Sequence, residues 1–257
     1  MTVELSYDLA HASDSSSSRT AIFIGSLGST RSMWDPQVRT LSDIADVVAV
    51  DLRGHGASPT PEGPYTVADL AGDVLAVADR LGRREFHVVG LSLGGAVAQW
   101  IAVHHPQRVA SLTLLCTSAR FGEPQGWTDR AATVRASGTE SIADAVLSRW
   151  FTAEFDADRT GYRDMIVSTP DEGYAACCEA LAEWDNRAEL AGIAAPTLVI
   201  AGQEDPATTP DDLRVIADGV PHSSFHVLSP AAHLANVEQA DTVSGLIVVH
   251  VSAAEKS

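Results

Sequence analysis

The pentapeptide Gly90-Leu91-Ser92-Leu93-Gly94 constrains this chain more than any other stretch. It follows a short apolar run, Phe86-His87-Val88-Val89, whose length and composition predict a buried strand. It precedes Gly95-Ala96-Val97-Ala98-Gln99-Trp100-Ile101-Ala102-Val103, which predicts a helix. Strand, sharp turn and helix are the setting that a G-x-S-x-G nucleophile elbow requires. The serine then occupies a strained turn, and small residues two places either side let strand and helix pass close. The pentapeptide alone is a weak pattern. In this setting it nominates Ser92 as a nucleophile and demands a base, an orienting acid and an oxyanion hole elsewhere.

The rest of the chain alternates strands and helices. Residues 3–9 alternate enough for an edge strand, and 20–24 are more fully apolar and so more central. Residues 31–41 read as a helix with Pro36 near its start, and 47–50 as a buried strand. Val67, Leu70, Val74, Val77 and Leu81 recur at helical spacing, with Gly82 as the stop. Residues 112–116 give another strand. From about 117 to 191 no buried strand is legible. That stretch has helical patterns, such as 142–151 and 174–184, and holds Trp127, Trp150 and Trp184. Strand 196–202, helix 211–217, strand 224–228 and a closing helix 235–249 follow. Ser15 to Ser18 reads as an exposed turn. The expectation is an α/β fold, a mostly parallel sheet flanked by helices. Residues 1–117 and 192–257 form its core, and 118–191 a helical cap insertion. Ligands in such folds gather beyond the carboxyl ends of the strands.

Charge narrows the partners. The chain has 34 acidic against 17 basic residues, a formal net charge of −17. A surface this acidic argues against nucleic acid and anionic membranes as partners. Cysteines number three, and two of them, Cys177 and Cys178, are neighbours, so no disulfide framework is expected. The first residues show no basic region leading into an apolar core, and no apolar stretch is long enough to span a membrane. A cytoplasmic setting is expected. Oligomeric state is not legible.

A serine hydroxyl needs a neighbouring base to become nucleophilic. Nine histidines compete. His87 and His226 fall inside strands, His104 and His105 end a helix, His222 precedes a strand, and His11 and His250 lie near the termini. His55, between Gly54 and Gly56, reads as structural. His233 follows the last strand in Ser229-Pro230-Ala231-Ala232-His233 and is the base expected. The orienting acid should follow another strand end. Asp205 does so in Gly202-Gln203-Glu204-Asp205; Glu204 is its rival, and the spacing from Gly202 favours Asp205. Its task is to fix the imidazole tautomer and stabilise the imidazolium. Two backbone N–H groups complete the set: Leu93, after the nucleophile, and Leu27, in the glycine-bearing loop after residues 20–24. Losing one such donor raises a barrier by about 3–4 kcal/mol. The order Ser92, Asp205, His233 is the one that accompanies this elbow, unlike the two serine-protease orders.

The elbow, the Asp51-Leu52-Arg53-Gly54-His55-Gly56-Ala57-Ser58 turn, Gly202-x-x-Asp205 and His233 together resemble the α/β-hydrolase superfamily over nearly the whole chain. Ser26-Leu27-Gly28-Ser29, Met33-Trp34-Asp35-Pro36-Gln37, Trp127-x-x-Arg130 and Arg149-Trp150-Phe151 resemble, more finely, the 3-oxoadipate enol-lactone hydrolases of aromatic catabolism. The resemblance implies a serine hydrolase that opens a small anionic lactone through an acyl-enzyme, with neither metal nor organic cofactor. An anionic substrate in so acidic a protein calls for a local cation. Arg130 is the first choice, with Arg149 and Arg120 as alternatives, because it shares the insertion with Trp127, which can pack on the lactone ring. Trp150 is a further substrate contact. The competing expectations are a carboxylesterase or cofactor-free haloperoxidase-like perhydrolase of the same fold, and a non-catalytic binding protein on a hydrolase scaffold.

Overall fold

The computed structural model of the chain describes residues 1–14 and 17–254. Among these, seven strands make one sheet: β1 (Tyr7–Ala10), β2 (Thr20–Ile24), β3 (Asp46–Val50), β4 (Phe86–Leu91), β5 (Val109–Leu115), β6 (Thr197–Gly202) and β7 (Ser223–Leu228). Their spatial order is β1-β3-β2-β4-β5-β6-β7. β1 runs antiparallel to β3, and every other pairing is parallel. The fold class expected from the sequence is therefore the fold observed. The order reverses between β2 and β4: the chain leaves β2 for β3 on one side, then crosses to β4 on the other. Loops diverge there and leave a crevice at the carboxyl ends.

Period-2 alternation sends neighbouring residues to opposite faces. Ile22, Ile24, Val48, Val50, Val88, Leu112 and Leu114 pack on one side, with α2 (Val67–Arg80), α3 (Leu93–His104) and α8 (Pro210–Gly219). Ala21, Phe23, Val47, Ala49, Val89, Leu91 and Ile200 pack on the other, with α1 (Asp35–Leu41) and α10 (Ala240–Ala253). Between β5 and β6 lie four helices: α4 (Pro124–Ser137), α5 (Glu140–Trp150), α6 (Thr160–Ser168) and α7 (Asp171–Ala182).

Several expectations are refined. The first strand is shorter than residues 3–9: Val3 instead gives its N–H to Asp73, and pairing with β3 begins at Tyr7. The closing helix is two pieces, α9 (Ala235–Glu238) and α10, because Gln239 leaves helical geometry at φ −118° and ψ 45°. Pro36 lies in the first turn of α1, after a 3-10 turn at Arg31–Trp34, where its missing N–H costs nothing. α4 and α6 escape a periodicity reading because each buries only one or two residues. Of the Ser-rich turn, Ser15 and Ser16 lie outside the described residues. All three cysteines are free and buried. No helix among the described residues is long and apolar enough to cross a membrane.

One buried ion pair fixes the loop after β3. Arg53 donates to both carboxylate oxygens of Asp73 on α2, at 2.6 and 2.8 Å, with both side chains withdrawn from solvent. Burial works against the Arg53 charge, and the Asp73 carboxylate more than offsets it, so the guanidinium is held above its ordinary pKa. Removing one partner strands the other. Arg53→Ala is expected to cost about 3–5 kcal/mol, and the apolar pair Arg53→Met/Asp73→Leu to recover most of it. Urea unfolding checks this: the midpoint should fall in the single variant and return in the double.

Candidate active site

Ser92 stands at the tip of β4, at the β2/β4 reversal, with φ 56° and ψ −115°. For a residue with a side chain that backbone is strained by roughly 1–3 kcal/mol. The surroundings hold it in place. The Ser92 N–H donates to Leu115 O at 3.1 Å, and the Ser92 carbonyl accepts from Ala96 N–H (3.1 Å) and the Thr117 hydroxyl (2.7 Å). The glycines around it are close-packing positions. A Cβ on Gly90 would lie 2.2 Å from Gly94 O, and one on Gly94 2.1 Å from Ile24 O. The chain thus turns from strand to helix against the end of β2, with the serine hydroxyl at the crevice.

His233 and Asp205 arrive from the tips of β7 and β6. The His233 ring is 2.8 Å, through Nδ1, from Asp205 Oδ2, and both side chains are buried. Asp205 is saturated with donors: the Thr208 hydroxyl at 2.7 Å, Ala207 N–H at 2.8 Å and Thr208 N–H at 3.1 Å. Burial by itself pushes the Asp205 carboxyl up. The charge of His233 and the hydrogen bonds from His233, Thr208 and Ala207 outweigh it, so the group sits below its ordinary range. Glu204, the rival acid, points away and holds the base loop, accepting from the Ser229 hydroxyl and Ala231 N–H.

The loop after β2 carries Leu27. Gly28 takes φ +79°, and its N–H donates to His55 Nε2 at 3.0 Å. Because Nε2 accepts, the His55 proton is on Nδ1, which donates to Arg53 O at 3.1 Å. Burial holds this imidazole below its ordinary pKa, against weaker opposing effects of Arg53 O and Asp51, and so favours the neutral form. His55 is structural, as its place between glycines suggests, and its position secures the residue beside Leu27. Leu93 opens α3, where first-turn N–H groups have no intrahelical acceptor.

These elements meet in one partly open cavity of about 430 Å³, counting the open solvent at its mouth. Ser92, His233, Ser26 and Leu27 form its floor. Trp127, Arg130, Trp150, Arg149, Phe121 and Tyr174 form its roof and walls, from the four-helix stretch. The Arg130 guanidinium lies over the Trp127 ring, 4.7 Å from its centroid, and the Trp127 indole N–H donates to Phe121 O at 2.6 Å. Arg149 reaches the same space, whereas Arg120 pairs with Glu123 outside it. Burial, and then the like charge of Arg130, hold the Arg149 guanidinium below its ordinary pKa. Trp184 is elsewhere, donating to Ser118 O from the core. Asp205 backs His233 from behind the lining, and Leu93 is fully buried beneath the elbow.

Sequence reasoning missed Thr208, Tyr174 and Glu238. Thr208 follows Asp205 by three, a local capping-type spacing that was legible. Tyr174 packs on the loop after β2: a Cβ on Gly28 would come within 3.0 Å of its ring. The Glu238 carboxylate accepts from Ala232 N–H, beside His233, and from the N–H and hydroxyl of Thr152, just past α5. No short-range pattern announces those contacts.

The family model of the alpha/beta hydrolase fold matches residues 22–240. The chain is 42% identical over 222 residues to 3-oxoadipate enol-lactonase 2 of Acinetobacter baylyi, covering 85% of this chain and 83% of that protein. It is 37% identical to 3-oxoadipate enol-lactonase 1 of the same organism, with the same coverage. The crystal structure of the enol-lactonase from Burkholderia xenovorans LB400 superposes with a TM-score of 0.92 at 38% identity, covering 96% of each chain. The chain belongs to the alpha/beta hydrolase fold family and is a relative of its 3-oxoadipate enol-lactonases.

Proposed function

We propose that this protein is a carboxylic-ester hydrolase that opens 3-oxoadipate enol-lactone to 3-oxoadipate, a step of aromatic-compound catabolism, in the cytoplasm. The observation that carries the reading is the cavity itself. It joins Ser92 and His233 to two arginines on apolar walls, inside a chain of net charge −17. The names of the relatives supply the substrate.

In this reading Ser92 Oγ attacks the lactone carbonyl while His233 takes its proton. Asp205 holds the imidazole tautomer and stabilises the imidazolium. The N–H groups of Leu27 and Leu93 receive the oxyanion, where fixed dipoles act without reorganisation. Collapse breaks the acyl–oxygen bond and expels an enolate, which His233 protonates. The enol tautomerises to the ketone, which draws the reaction forward. Water activated by His233 then releases the acyl-enzyme. Trp127 packs on the ring and Arg130 takes the substrate carboxylate, with Trp150 closing the wall. Residues 118–191 act as the cap over a core of 1–117 and 192–257.

A neutral-ester carboxylesterase is the competing reading, since aromatic walls also suit acyl and aryl groups. Turnover measured spectrophotometrically separates them: kcat/KM for the enol-lactone should exceed that for neutral aryl esters. A preference for neutral esters would sink the substrate assignment. Ser92→Ala should abolish both activities and labelling by a fluorophosphonate, which distinguishes a catalyst from a binding protein.

Asp205→Asn is expected to keep the fold and lower kcat by about four orders of magnitude, because an amide favours the wrong His233 tautomer. The same variant reports on acid stability. The Asp205 carboxyl is depressed below its ordinary value of 3.8, so the stability it contributes is full above that value and is lost as pH falls through the folded one. Melting temperature should therefore drop more steeply below pH 4 in the wild type than in Asp205→Asn.

A further inference from the structure

Two cations share the cavity, whereas the lactone brings one carboxylate. Many arginines elsewhere are matched with acids, such as Arg31 with Asp8 and Asp51, Arg53 with Asp73, Arg108 with Asp79, Arg135 with Glu172 and Glu179, and Arg163 with Glu140 and Asp144, while others, such as Arg159 and Arg214, rest on carbonyls or an aromatic ring outside the cavity. Among the described residues, Arg130 and Arg149 have no such partner. Both line the cavity, and no carboxylate among the described residues does. We infer that Arg149 is a second anion subsite beside Arg130, so that the cavity is built for a dicarboxylate and holds the ring-opened product better than the lactone.

The position of Arg149 does not depend on its side chain. Its carbonyl accepts His233 N–H at 3.4 Å, and the Trp150 carbonyl accepts Leu234 N–H at 2.9 Å. The main chain thus fixes where the guanidinium starts, and no ion pair among the described residues uses its charge. That charge is under stress, since burial and Arg130 both work against it. A second carboxylate would relieve the repulsion and supply a bidentate partner.

The inference rests on the active-site reading for its ligand. Hydrolysis supplies the dianion in place. Water adds across the acyl–oxygen bond: the acyl carbon becomes a new carboxylate, the ring oxygen takes one proton as the enol that tautomerises to the ketone, and the other proton is released. The substrate is a monoanion and the product a dianion, which matches the two guanidiniums. Product retention, and inhibition by short dicarboxylic acids, follow from that match.

Calorimetric titration of the full chain at constant ionic strength tests this without any turnover. Succinate, glutarate and adipate are compared with butyrate, valerate and hexanoate, each pair equal in chain length. The best dicarboxylate should bind at least about tenfold tighter than its monocarboxylate. Arg149→Gln should remove that advantage while leaving the monocarboxylate Kd within about twofold, with melting temperature and circular dichroism as controls for folding. Arg130→Gln should weaken both acids. Equal affinity for the two classes in the wild type, no binding by either, or equal losses in Arg149→Gln would overturn the subsite. A protein that binds dicarboxylates yet leaves the enol-lactone untouched would overturn the proposed reaction and leave the subsite standing.

Discussion

The close approach of the elbow to the end of β2 is the constraint on which the site depends. Gly94 N–H donates to Gly25 O at 3.1 Å, and there is no room for a Cβ between Gly94 and Ile24 O. The contact fixes three things together. It sets the strained backbone of Ser92, it starts α3 with Leu93 beside that serine, and it brings the Gly25–Ser29 loop alongside. The candidate nucleophile and both candidate oxyanion donors thus come from one packing event. Strain at Ser92 is tolerated because the flanking strand and helix are deep in the core, where their residues are almost wholly buried.

Charge is arranged at two scales. Summed over the chain it is strongly negative, a long-range field that opposes other anions. Inside the cavity it is positive, because Arg130 and Arg149 stand in its lining with no acid among the lining residues. A small anion responds to the local field once inside, where the apolar walls leave little water to screen it. The Asp205–His233 pair is kept out of that balance. Asp205 is buried behind the ring and its oxygens are occupied by His233, Thr208 and Ala207.

Local pattern carried most of the fold and the floor of the site. Buried strands such as 47–50 and 20–24 announce themselves by apolar runs, and Ser92, Asp205 and His233 each follow a strand end, so topology alone gathers them. Contacts between distant segments were not legible. The first strand begins late because Asp73, seventy residues on, takes the Val3 N–H. The closing helix breaks at Gln239, whose side-chain amide donates to Pro230 O. Arg130 and Arg149 could be named as alternatives from sequence, but only packing shows that both reach one space while Arg120 turns outward to Glu123.

The four-helix stretch is joined to both halves of the machinery, and by main-chain geometry more than by side-chain bulk. Gly173 in α7 lies against Gly54, where a Cβ on either would come within 2.4 Å of the other's Cα. Gly54 adjoins His55, which holds Gly28 of the loop after β2, and Tyr174 presses on the same glycine. At the other end, the carbonyls of Arg149 and Trp150 accept from the base loop, and Glu238 bridges that loop to Thr152. One end of the insertion therefore bears on the loop that carries Leu27 and Gly28, and the other on the loop that carries His233. The cavity's roof residues, Arg130 and Arg149 among them, are thus positioned through the same backbone that positions Ser92 and His233 on its floor.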